Sequence, residues 1–72
     1  MSVPQHRRIL GERIRAYRQK AEFSQEKLAE KAELSAVFIS QVERGRENIS
    51  VDSLARIAKA LDVPIHRLFC KA

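Results

Sequence analysis

Apolar residues recur along this chain at helical spacing, in short runs separated by polar caps. Leu10, Ile14, Tyr17 and Ala21 fall at i, i+4, i+7 and i+11, the stripe of an amphipathic helix from about Arg7 to Lys20. Pro4 precedes that segment, and its other faces are mostly Arg, Glu and Gln. Ser24 stands where its hydroxyl can accept an orphan amide hydrogen and Glu26 can complement the positive helix end. A second helix burying Leu28, Ala29 and Ala32 follows, broken at Glu33-Leu34-Ser35. Ser35 is the expected cap of a third helix that runs to about Arg44 and stops at Gly45, a natural left-handed terminator. On it Ile39 and Val42 can face the core, which leaves Ala36, Val37, Ser40, Gln41 and Arg44 on the outer surface. After the loop Arg46-Glu47-Asn48-Ile49, Ser50 caps a fourth helix whose Leu54, Ile57, Ala58 and Leu61 give the cleanest periodicity in the chain. Pro64 suits the first position of a short fifth helix carrying Ile65, Leu68 and Phe69. The pattern predicts an all-α fold of five short helices, with no repeat, linker or low-complexity tract.

At 72 residues the chain reads as one domain, 1–72, near the lower size limit for a single core. A core this small supplies about 3–5 kcal/mol alone, which leans toward a partner subunit. Its 14 Lys and Arg against 9 Asp and Glu give a net charge of +5, suited to a polyanion but equally to a solvated surface. No run approaches the about 18 consecutive apolar residues of a membrane span, and Met1 to Arg8 lacks the apolar centre of a signal peptide. A cytoplasmic location without membrane contact is therefore expected. Catalysis has no constellation to carry it: His6 and His66 lie at opposite ends, Cys70 has no evident base, and no HExxH, paired-Cys or Gly-rich phosphate motif occurs. No enzyme activity, metal or cofactor is expected, and Cys70 reads as a free thiol.

The segments Ser24-Gln25-Glu26-Lys27-Leu28-Ala29, Leu34-Ser35, Phe38-Ile39-Ser40, Val42-Glu43-Arg44-Gly45 and Leu54-Ala55-Arg56-Ile57-Ala58-Lys59-Ala60-Leu61 are individually weak signals. In this order and spacing they are specific. From Ile9 to Phe69 the chain resembles the Cro and phage-repressor family of Xre-type regulators, with a helix-turn-helix motif at about 24–44. The resemblance implies a five-helix, lambda-repressor-like DNA-binding domain and a sequence-specific transcriptional regulator of double-stranded DNA. It implies that Gln25 binds a phosphate at the start of the second helix, and that Arg18 and Glu43 form a structural salt bridge. Base edges fall to Ala36, Val37, Ser40 and Gln41, in a recognition helix of about 36–44. DNA backbone contacts fall to Gln25, Ser35, Phe38, Arg44, Arg46 and Asn48. Where many relatives carry polar residues, Ala36 and Val37 offer only apolar contact, best matched to thymine methyl groups, so hydrogen-bond readout rests on Ser40 and Gln41. Specificity then leans on DNA shape and phosphate positioning. Two further departures are Glu33, where relatives often place Gly, and Glu47, a negative charge near the DNA side.

Glu43-Arg44-Gly45, Asn48-Ile49-Ser50 and Phe69 also look like the controller proteins of restriction-modification systems. That likeness implies a homodimer contacting itself through Val63, Ile65, Leu68 and Phe69, a palindromic operator read by helices about 34 Å apart, and scope for contact with RNA polymerase. A rival reading keeps the fold but gives the apolar Ala36, Val37 and Phe38 to a protein partner, as in an antitoxin or a bridging coactivator.

Overall fold

A computed structural model describes residues 5–69, so Pro4 and Cys70 lie outside the described residues. Four α-helices follow in order: α1 (Gln5–Lys20), α2 (Gln25–Ala32), α3 (Ala36–Glu43) and α4 (Val51–Leu61). The expected fifth helix is instead a single 3-10 turn, Ile65–Leu68. Pro64, in an extended conformation before it, supplies no side-chain cap, and the Arg67 and Phe69 amides bond the carbonyls of Pro64 and His66, three residues back.

Three of the starts are fixed by serine. Ser24 Oγ accepts from the Lys27 amide at 2.9 Å, Ser35 Oγ from Phe38 at 3.0 Å and Ser50 Oγ from Ser53 at 3.1 Å. Each such cap is worth about 1 kcal/mol. The helix ends also share one design. Glu22, Glu33, Gly45 and Asp62 all take positive φ, between 59° and 74°. The amide of the next residue then reaches back to a carbonyl of the last helical turn, as Phe23 does to Arg18, Leu34 to Ala29, Arg46 to Gln41 and Val63 to Ala58. Phe23, Leu34 and Val63 pack against the core from these positions, completing the closure with an apolar contact.

The core gathers Leu10 and Ile14 of α1, Leu28, Ala29 and Ala32 of α2, Ile39 and Val42 of α3, Leu54, Ile57, Ala58 and Leu61 of α4, and Leu68 of the turn. No polar or charged residue is fully buried among the described residues. The first stripe holds only in part. Tyr17 is half-buried, and Ala21 is exposed because the helix ends at Lys20 and the chain turns away. Gly11, which no apolar period singles out, proves to be the packing pivot. A Cβ there would lie 2.5 Å from the Val42 carbonyl oxygen and 2.6 Å from that of Glu43. So α1 rests directly on the backbone at the end of α3.

Two substitutions separate these effects. Gly11→Ala pushes a methyl into rigid backbone and is expected to cost about 1–3 kcal/mol in urea unfolding, with the m-value unchanged. Glu33→Gly removes a left-handed strain of about 1–2 kcal/mol at an unfolded-state entropy cost of about 0.4–1 kcal/mol, so a net gain between zero and about 1.5 kcal/mol is expected.

Candidate nucleic-acid interface

α2 and α3 are eight residues each and joined by only Glu33, Leu34 and Ser35. Because Ile39 and Val42 are drawn into the core, the opposite side of α3 is forced outward. Val37 is 71% exposed, Ala36, Ser40 and Gln41 are half-buried, and Arg44 is exposed. Arg46 and Asn48 are exposed in the loop that follows, with the half-buried Glu47 between them. Ser35 Oγ accepts from the Phe38 amide. Phe38 itself packs partly on the core, at the margin of the face.

What holds this face at a fixed angle is one carboxylate. Arg18 Nε donates to Glu43 Oε2 at 2.6 Å and its Nη2 to Oε1 at 3.1 Å, a two-pronged pair, while its Nη1 donates to the Phe23 carbonyl at 2.8 Å. Gln25 Nε2 adds a bond to Glu43 Oε1 at 3.1 Å. The two charged side chains are only 12% and 4% exposed. Glu43 is therefore both pinned and neutralised, and it presents little repulsion to an approaching polyanion. Gln25 retains one amide hydrogen beyond the one given to Glu43.

Arg15, Arg18, Gln25, Ser40, Glu43 and Arg44 together line a polar cleft of about 200 Å³ between α1 and the helix pair. Arg15 is absent from the sequence-derived set. Its spacing of three residues from Arg18 was the available signal, since residues i and i+3 share a helix face.

The residues assigned to a partner subunit divide. Leu68 is completely buried in the chain's own core and offers no surface, which corrects its placement on a dimer face. Val63 and Ile65 pack on the core and are half-buried, whereas Phe69 is 58% exposed. Phe69 lines a largely apolar groove with Ile49 and the exposed Val51. Among the described residues no helix is long and apolar enough to cross a membrane, and no three His, Cys, Asp or Glu side chains group as metal ligands do.

Two short serine-capped helices at a tight turn, the second pinned from behind and bare in front, define a helix-turn-helix domain. The chain belongs to the helix-turn-helix family, whose model matches residues 14–68, and within it to the Xre-type transcriptional regulators. It is 43% identical to the control protein C.BamHI of Bacillus amyloliquefaciens over 58 residues, 79% of this chain and 72% of that protein. Its fold matches the crystal structure of the restriction-modification controller protein C.AhdI from Aeromonas hydrophila with a TM-score of 0.90 and 33% identity, over 92% of this chain and 100% of that one. It also matches SinR, the master regulator for biofilm formation, in complex with DNA, with a TM-score of 0.81 and 35% identity, over 85% and 98% of the two chains.

Glu43→Ala strands a mostly buried guanidinium and is expected to cost about 3 kcal/mol or more in thermal or urea unfolding. A double-mutant cycle with Arg18→Ala is expected to return a coupling of about 1–3 kcal/mol, and additivity would show the pair to be idle.

Proposed function

We propose that this regulator binds a palindromic operator as a homodimer, with α3 in the major groove. The observation that carries the reading is the outward face Val37, Ser40, Gln41 and Arg44, with Ala36 at its edge against the core, fixed by the pinned Glu43. Val37 and Ala36 meet thymine methyl groups, Gln41 and Ser40 supply hydrogen bonds to the groove, and Gln25, Ser35, Phe38, Arg44, Arg46 and Asn48 seat the backbone. The likeness to SinR solved with DNA supports the partner, and that to the controller proteins supports the class of regulator.

The second copy docks through Phe69 and the apolar groove it shares with Val51 and Ile49, and through the half-buried Val63 and Ile65. Exposed large side chains in one groove favour such a partner, and a core of this size gains from one. Twofold symmetry then sets the two α3 helices about 34 Å apart on one side of the duplex. Such a dimer works in the cytoplasm, and beside a promoter it meets RNA polymerase.

Binding to a labelled duplex from the protein's own upstream DNA is expected to fall steeply with salt, by about 10³-fold between roughly 50 and 200 mM if six phosphates are engaged. A weak salt response would favour instead the protein-interaction module that the exposed Val37 could serve. Phe69→Asp is expected to shift the species seen in sedimentation equilibrium from dimer to monomer and to weaken DNA binding in parallel. An unchanged dimer would remove Phe69 from the interface.

A further inference from the structure

We infer that the cleft between α1 and the helix-turn-helix seats one phosphodiester between Arg15 and Arg44, and that Ser40 faces this seat and not a base edge. The inference rests on the DNA reading above, moves Ser40 from the base-reading set to the backbone set and adds Arg15. Six side chains line the cleft, and two of them, Arg18 and Glu43, cancel each other at 2.6 Å. What remains is a pair of guanidinium groups on different elements. Neither Arg15 nor Arg44 makes an ion pair or a side-chain hydrogen bond with any other described residue. Two uncompensated cations lining one cleft of about 200 Å³ call for an anion with several acceptor oxygens, the chemistry of a phosphate group.

The helical period separates Ser40 from Gln41, on opposite sides of Val37. At about 100° per residue, Ser40 lies roughly 60° from the outward Val37 on the Glu43 side, and Gln41 lies roughly 40° away on the other. Ser40 accordingly lines the cleft with Gln25 and Arg44, whereas neither Val37 nor Gln41 does. Its hydroxyl makes no side-chain hydrogen bond with a described residue and is free to donate to a phosphate oxygen. Gln25 can add its second amide hydrogen to the same oxygen. Hydrogen-bond readout of base edges then falls on Gln41, beside the apolar contact of Val37.

Fluorescence anisotropy can test both roles with two duplexes, one enriched from a random pool by the wild-type protein and one unrelated. Arg15→Gln is expected to weaken both by the same factor, about eightfold near 0.1 M salt, and to lower the salt slope by about 0.9, while Arg15→Lys keeps most of the affinity. Ser40→Ala is expected to weaken both duplexes equally, leaving their affinity ratio unchanged, whereas Gln41→Ala lowers that ratio. Thermal melting confirms that each variant is folded. Wild-type affinity and slope in Arg15→Gln, or a ratio lost in Ser40→Ala, would overturn the seat while the DNA reading stands. Failure of the wild-type protein to enrich or bind any duplex would overturn the reading itself.

Discussion

Both oxygens of the Glu43 carboxylate are taken, one by Arg18 Nε and the other by Arg18 Nη2 and Gln25 Nε2. That single group ties the first helix, the entrance of the second and the exit of the third. A mostly buried ion pair is a stabiliser only when its geometry is good and its remaining valences are filled. Here the guanidinium is shared further with the Phe23 carbonyl, just beyond the end of α1, so the closing turn of that helix belongs to the same network. Gly11 makes the approach feasible. Without a side chain there, α1 can lie on the Val42 and Glu43 carbonyls, close enough for Arg18, two turns along, to reach the carboxylate.

The functional surface follows from that constraint. With Ile39 and Val42 buried and Glu43 clamped, α3 has no freedom to roll, and its outward residues are set by subtraction. The clamp also neutralises the carboxylate that lines the cleft, which leaves the charges of Arg15 and Arg44 there unopposed. Position is supplied by buried contacts and the N-terminal turn of α2, and identity by a few exposed side chains. A small chain can afford this division because neither part needs a separate domain.

Much of the fold was legible in the sequence because burial and capping leave local traces. Leu54, Ile57, Ala58 and Leu61 are all buried, and Ser24, Ser35 and Ser50 all cap, since each depends on residues three or four positions away. What escaped depends on distant partners or on backbone conformation. Ala21 fits the apolar period but lies past the end of α1, where Phe23 takes over the contact with the core. Leu68 and Phe69 are neighbours of similar character, and only the three-dimensional path decides that one fills the core and the other faces outward. The segment after Pro64 is a four-residue 3-10 turn, too short for apolar spacing to tell from a helix. Gly11 carries no hydrophobic signal, and Arg15 looks like any solvated arginine until α3 is laid beside it. The Arg18 and Glu43 pair, separated by 25 positions, came from family likeness alone.

Insertion of the α3 face into DNA can be observed residue by residue. Titration of the isotope-labelled protein with its cognate duplex should perturb backbone amides most strongly in 24–26 and 35–41, with side-chain shifts at Arg15 and Arg44. Little should change along the outer face of α4. Perturbations centred on α4 or on Ile49, Val51 and Phe69, with residues 35–41 unmoved, would contradict the claim that this face enters the groove.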